Sequence, residues 1–179
     1  MTKEFAARRL DVKGFAEEGA ALSGVSAVQQ HVRLMAETQG RGADAPVNWS
    51  ISGEMRNPQH VQPEIWLHLQ AEVTLSLTCQ RCLEPVEVPL SVDRSFRFVP
   101  DEELAAAQDE ESEEDVLALS RSFDVVELVE DELLMEIPLA PAHETCPPVK
   151  LALADDSFES AASRQENPFA SLGRLKTGK

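Results

Sequence analysis

Residues 65 to 98 alternate with period two on both sides of a two-thiol turn, and a long β-hairpin is the fold element that satisfies such a pattern. Before the turn, Ile65, Leu67, Leu69, Ala71, Val73, Leu75 and Leu77 share one face, and Trp66, His68, Gln70, Glu72, Thr74, Ser76 and Thr78 share the other. After it, Val86, Val88, Leu90, Val92, Phe96 and Phe98 alternate with Glu87, Pro89, Ser91, Asp93, Ser95 and Arg97. Successive side chains of a strand point to opposite faces, so each run predicts a half-buried strand. The tip between them is Cys79-Gln80-Arg81-Cys82, where two thiols three positions apart can address one point.

A preceding run, Val47, Trp49, Ile51, Gly53 and Met55 against Asn48, Ser50, Ser52 and Glu54, predicts a first strand, and Asn57-Pro58 opens a loop. Three strands in sequence make an antiparallel meander, or a partly closed sheet, whose apolar face requires a cover. Asp124 with Glu127 three residues on has the form of an N-terminal capping box. Val126, Val129, Leu133 and Ile137 follow at helical spacing, widened by Val125, Leu128 and Leu134. This amphipathic helix is the expected cover, with Glu127, Glu130, Asp131 and Glu132 turned to water and Pro138 and Pro141 ending it. A second, N-terminal helix is expected from Ser23 or Ser26 to Glu37, on Val25, Val28, Val32, Met35 and Ala36, with Gly40 as its stop. Phe5, Leu10, Val12 and Phe15 are expected as a short strand or a segment lying over the core. The fold class is therefore α+β: residues 1–150 as one domain, then residues 151–179 as an extended tail with a short amphipathic segment.

Charge is placed unevenly. The chain of 179 residues carries a formal net charge of −16. Fifteen acids against one base, Arg121, lie between Asp101 and Glu136, a net of −14. A field of that sign repels phosphate backbones and attracts basic proteins. Residues 100 to 122, acidic and poor in bulky groups, are expected as a flexible insertion, loosely helical at most over Leu104 to Ala107. Aromatic residues are 5% and there is no Tyr, so the core must be mainly aliphatic. No apolar run approaches the length of a membrane span, and the first ten residues have no apolar signal region. Three cysteines, an odd number, argue against a disulfide framework and for a reducing compartment, so a cytoplasmic protein is expected.

His143 and Cys146 repeat the three-residue spacing of Cys79 and Cys82 about 60 residues later. Together they make a Cys3His set of the kind that holds zinc in tetrahedral geometry, provided the chain after Pro141 returns to the hairpin tip. The alternative is that Cys79 continues the apolar face as a small core residue, with Cys82 and Cys146 ordinary thiols. A thioredoxin-like redox pair fits less well, because Pro85 and a strand follow the motif where that chemistry uses a helix N-terminus. His31, His60 and His68 read as structural or solvent-facing residues, and no nucleotide-binding or hydrolase motif is present. Trp49 is expected in the core; Trp66, on the polar face, is either an exposed contact residue or a rim residue covered by the N-terminal segment.

The order of these features resembles the YceD-type large ribosomal RNA subunit accumulation proteins. The resemblance rests on Leu77-Thr78-Cys79-Gln80-Arg81-Cys82 leading out through Pro85, and on Phe96-Arg97-Phe98 before the acidic insertion. It also rests on Val129-Glu130-Asp131-Glu132-Leu133-Leu134 leading to Ile137-Pro138-Leu139-Ala140-Pro141-Ala142-His143, and on the closing Asn167-Pro168-Phe169-Ala170, Leu172, Leu175 and Lys176. It implies a role in synthesis, processing or stability of large-subunit (23S-type) ribosomal RNA, in bacteria or organelles of bacterial descent, and no known enzymatic activity, so a non-enzymatic protein is expected. The family's coding region often lies beside that of a small basic ribosomal protein, which hints at a protein partner. The leading expectation is thus an accessory factor acting on a basic large-subunit ribosomal protein or a pre-ribosomal particle. Its acidic segment would face the client, and Asn167, Pro168, Phe169 and Leu172 would provide an apolar anchor. The alternatives are direct ribosomal RNA binding through Arg81, Arg94 and Arg97 or through Arg174, Lys176 and Lys179, and a zinc or redox protein using the cysteine hairpin.

Overall fold

The computed structural model describes residues 5–61 and 63–147. The expected tail after residue 150, with Asn167, Pro168, Phe169 and Leu172, lies outside the described residues. Five strands form one sheet in chain order: β1 (Ala21–Ala27), β2 (Pro46–Arg56), β3 (Glu64–Thr78), β4 (Pro85–Val99) and β5 (Asp115–Ala118). The first four pair antiparallel and β5 runs parallel to β4. β1 and β5 are the two edges, so the sheet is open, and the alternative of partial closure is corrected.

The parity read from the sequence fixes the register of the central hairpin. Leu67 stands opposite Phe96, Ala71 opposite Val92 and Leu75 opposite Val88. Ile65 and every second residue from Leu67 to Leu77 are buried, as are Val86, Leu90, Val92, Phe96 and Phe98. Pro85 and Pro89 are tolerated because β5 reaches only Phe96–Val99, leaving the earlier part of β4 without a second strand to receive an N–H.

The buried face is covered by α1 (Val12–Glu17), α2 (Val32–Glu37) and α4 (Val125–Met135). Asp124 caps α4 by accepting from the N–H groups of Val126 and Glu127 at 2.9 and 3.2 Å. The helix buries Val125, Leu128, Val129 and Leu133. α1 lies so close to β2 that a Cβ on Gly53 would stand 2.7 Å from Phe15 Cδ1 and 2.8 Å from Ala16 Cα. The segment before it is not a strand: Leu10 makes a single bridge to Phe123, and Leu10, Val12 and Phe15 are fully buried.

The helix expected over residues 23–37 is replaced by three pieces: β1, a single 3-10 turn at Val28–Gln30, and α2. Ser23, Gly24 and Ser26 are weak helix formers, and pairing with β2 overrides the spacing of the valines. Gly24 leaves room there for Trp49, which lies across it so that a Cβ would come within 2.5 Å of Trp49 Cζ2 unless the ring shifted. Trp49 is only half-buried, packing at the edge of the core. The start of α2 is capped from outside: Glu130 of α4 accepts from the N–H groups of Arg33 and Leu34 at 2.6 and 3.3 Å, and Arg33 pairs with both Glu130 and Asp131.

The acidic segment also departs from the expected loop. It contains α3 (Glu102–Asp109) and β5. Asp101 caps α3 through Leu104 N–H at 2.8 Å, with Glu102 and Glu103 in the first turn where acids suit the helix dipole. Asp109 accepts from Val116 N–H at 3.0 Å. Ala105, Val99 and Val116 close a small second core on the sheet face opposite the main one. Three apolar side chains and two caps are enough to give this stretch regular structure, a contribution too small to register in composition.

Two acids expected to face water do not: Glu130, with its side chain 12% exposed, is turned onto α2, and Glu132 is the other. It is buried at 5% exposure and faces the core rather than water. Arg94 stands opposite Leu69 and so lies on the core-facing side of β4, where its Nε is 3.6 Å from Glu132 and its Nη1 3.8 Å from Asp115. Burial pushes the Glu132 carboxyl up, and Arg94 only partly offsets it.

Candidate metal centre at the hairpin tip

The tip of the β3–β4 hairpin is a compact turn. Cys79 N–H donates to Glu84 O and Leu83 N–H to Cys79 O, both at 2.9 Å, and Leu83 takes the left-handed backbone conformation at φ 64°. Such a turn leaves the N–H groups of Arg81 and Cys82 free to face the Cys79 sulfur. α4 then carries the chain about 16 Å back along the sheet, by its rise of 1.5 Å per residue. The segment after it docks on the tip through three hydrogen bonds. Gln80 N–H donates to Pro141 O at 2.8 Å, Arg81 Nη1 to His143 O at 3.3 Å, and His143 Nε2 to Pro85 O at 2.9 Å.

The structure thereby brings Cys79, Cys82, His143 and Cys146 together. One ligand atom from each lies within 4.8 Å of the others, close enough to hold a metal ion. Cys79 Sγ is 3.8 Å from Cys146 Sγ, and Cys82 Sγ is 3.4 Å from His143 Nδ1. Cys79 is fully buried and the other three are half-buried. All three cysteines are free thiols.

The electrostatics of the four are unequal. Burial pushes the Cys79 thiol up, but N–H groups of Cys82, His143 and Arg81 donate to its sulfur and bring it down to about 5. Burial pushes Cys146 up to about 11, and the adjoining Cys79 and Cys82 sulfurs add to this. Backbone dipoles therefore favour the thiolate at Cys79, whereas its neighbour Cys146 is disfavoured as a thiolate.

The arginines expected as a basic stripe are divided. Arg94 is engaged by Glu132 and Asp115, and Arg97 donates to Gln108 at 2.7 Å and Ser112 at 2.9 Å. Arg81 is at the tip, with its guanidinium on His143 O. Trp66 is buried at 5% exposure, with the Arg56 guanidinium 4.2 Å above its ring and its Nε1 donating to Glu64 at 3.1 Å. A buried ring under a cation is a rim residue rather than a stacking platform.

Sequence reasoning did not find the cluster on the polar face of the sheet. His68 hydrogen-bonds Ser95 Oγ through Nδ1 at 2.8 Å and Glu54 through Nε2 at 2.9 Å, and Arg56 pairs with Glu54 at 3.0 Å. Arg56 first and His68 second hold the Glu54 carboxyl below its usual range. These contacts knit β2, β3 and β4 together, and the signal for them is the cross-strand register that sets His68 opposite Ser52 and Ser95.

Among the described residues, no helix is long and apolar enough to cross a membrane. Comparison with known proteins adds family context. The family described as large ribosomal RNA subunit accumulation protein YceD matches residues 67–176, which includes all four residues of the tip cluster. A Haemophilus influenzae protein named large ribosomal RNA subunit accumulation protein YceD is 27% identical over 140 residues, covering 76% of this chain and 80% of that protein. No solved structure matches. With the hairpin tip, acidic segment and covering helix all within the matched span, this chain belongs to the YceD family of large ribosomal RNA subunit accumulation proteins.

Proposed function

We propose that this chain is a non-catalytic accessory factor in the synthesis, processing or stability of large-subunit ribosomal RNA, acting in the cytoplasm by holding basic ribosomal proteins or basic parts of a pre-ribosomal particle. Family membership supports the RNA pathway. The observation that carries the mode of action is the surface built on α3 and the turn after it. Asp101, Glu102, Glu103, Asp109, Glu110, Glu111, Glu113, Glu114 and Asp115 are all exposed, and no base occurs between residues 101 and 120. An acidic surface of that density speeds encounter with a cationic protein and repels bare nucleic acid. The internal engagement of Arg94 and Arg97 weighs in the same direction, against a continuous basic stripe for RNA. Asn167, Pro168, Phe169 and Leu172 supply an apolar anchor for the same partner. The Cys3His cluster enters this reading as a structural zinc site rather than a reactive centre.

The test is charge neutralisation, since deletion would remove α3 and β5. Replacing Glu110, Glu111, Glu113 and Glu114 with Gln leaves Ala105, Val99 and Val116 packed. Binding to a purified basic large-subunit ribosomal protein is then measured across salt concentrations, with large-subunit RNA fragments in parallel. Exposed pairs are worth roughly 0.2–1 kcal/mol each, so the four substitutions together should weaken protein binding by about fourfold or more and flatten its salt dependence. Unchanged protein binding, together with tight RNA binding that falls steeply with salt, would overturn the reading.

A further inference from the structure

We infer that the tip cluster is a closed zinc centre, with three sulfurs and His143 Nδ1 as its ligands, whose closure fastens the segment Pro141–Cys146 to the β3–β4 hairpin. The inference deepens the structural role just given to the cluster and rests on that reading of it.

The ligand atoms come from two pieces of chain that are remote in sequence, and each piece supplies a pair: Cys79 and Cys82 from the hairpin, His143 and Cys146 from the returning segment. Three sulfurs and one imidazole nitrogen, all within 4.8 Å of one another, match the donor set and count of structural zinc, which is four-coordinate and takes thiolate and imidazole together. Hard cations such as magnesium and calcium prefer oxygen donors, so the same set selects against them.

The imidazole is already committed to one tautomer. A carbonyl oxygen only accepts, so His143 Nε2 must carry the proton it gives to Pro85 O at 2.9 Å. Nδ1 is the ring nitrogen left to serve as a ligand, and it faces Cys82 Sγ at 3.4 Å. Orientation of a ligating histidine by a carbonyl on its other nitrogen is the usual outer-shell arrangement in zinc sites. The Cys79 sulfur has its outer shell as well, in the N–H groups of Arg81, Cys82 and His143. Three sulfurs this close cannot all be anionic without a cation among them, and a divalent ion removes that repulsion.

With four protein ligands there is no open position for a water or a substrate, which is the coordination of a structural site and not of a hydrolytic one. The consequence is mechanical. Besides the metal, the returning segment is held to the tip by the hydrogen bonds of Gln80 to Pro141, of the exposed Arg81 side chain to His143 and of His143 to Pro85, and by the His143 N–H on the Cys79 sulfur. A zinc ion adds four bonds across the same junction, and its binding energy becomes energy of docking.

The experiment uses the full chain, purified under reducing conditions and reconstituted with zinc or cobalt(II). One equivalent of zinc per chain is expected by elemental analysis. The cobalt form should show the intense red-region bands of tetrahedral coordination and thiolate-to-cobalt charge transfer. His143→Ala and Cys146→Ser should each lower zinc affinity by more than the about 10–100-fold typical of losing an outer-shell partner. Hydrogen exchange should show residues 79–84 and 141–146 protected with zinc and opened by a chelator, while β3 and β4 away from the tip are unchanged. Failure to bind zinc in the folded full chain would overturn the inference, as would zinc binding that survives both substitutions, or octahedral cobalt spectra. Binding of the basic ribosomal protein by the acidic surface is read separately, so loss of either result leaves the other interpretable.

Discussion

The pair formed by Arg94 and Glu132 should respond asymmetrically to mutation. Glu132 is the desolvated partner, with its side chain 6% exposed, whereas Arg94 is 45% exposed and also touches Asp115. Removing the cation strands a buried carboxylate; removing the carboxylate leaves a cation that water can reach. Breaking a fully buried pair costs about 3–5 kcal/mol. The exposure of Arg94 reduces this, so Arg94→Met, which keeps the aliphatic stem, should destabilise by roughly 2 kcal/mol at neutral pH. Glu132→Gln keeps a polar group of the same shape and should cost less than about 1 kcal/mol. The two differ in pH dependence as well. Glu132 titrates above its ordinary value in the folded protein, so its stabilising contribution is complete below the unfolded value near 4.3 and is lost as pH rises through the folded value. Arg94→Met widens that gap, so its deficit should shrink as pH falls toward 4, while Glu132→Gln should flatten the slope. Urea denaturation of wild type, both single variants and the double variant, at pH 7 and pH 4 under identical zinc conditions, gives the comparison. If Glu132→Gln costs as much as Arg94→Met at pH 7, or the Arg94→Met deficit does not change with pH, the argument from unequal burial is wrong.

Two further outcomes follow from close packing and from a buried imidazole. Gly53→Ala should destabilise by about 1–3 kcal/mol, because the added methyl meets the Ala16 backbone, while Gly24→Ala meets only the ring of half-buried Trp49 and should cost less; thermal melts of the two variants rank them. His31 is 1% exposed, shares a 2.7 Å hydrogen bond with Ser26 Oγ through Nε2, and has its Nδ1 buried with no hydrogen-bond partner among the described residues. Burial pushes its pKa down, with Arg8 adding to this and Glu130 opposing. The unfolded chain then binds the proton more readily, so stability should fall as pH drops below about 6.5, and His31→Gln should remove part of that fall in denaturation curves between pH 7 and 5.

The hairpin was legible because period two, sustained over strands of fifteen residues, leaves one register that buries both apolar faces. The metal-ligand residue types were legible too, but their meeting depended on α4 returning the chain to the tip, which no local pattern encodes. Where the reading failed, a signal was often present. Arg94 interrupts the apolar parity between Val92 and Phe96, and Glu132 falls four residues after Leu128 and three after Val129, inside the apolar stripe. Each marked the other's partner. The β1 stretch misled because Val25, Val28 and Val32 satisfy helical spacing, while Val25 and Val32 are in fact 70% and 78% exposed. The acidic segment misled because its net charge hid a nucleus of three small apolar residues.

Arg94 and Arg97 are three positions apart on one strand, and strand parity sends them to opposite sides. One reaches Glu132 in the helix layer; the other reaches Gln108 and Ser112 beyond the far side. A tug applied to the negatively charged lobe therefore enters the main body of the protein through β4, at these two arginines and along the Phe96–Val99 pairing with β5. That stretch works like a rivet through a plate, tying the helix layer on one side to α3 and the turn after it on the other.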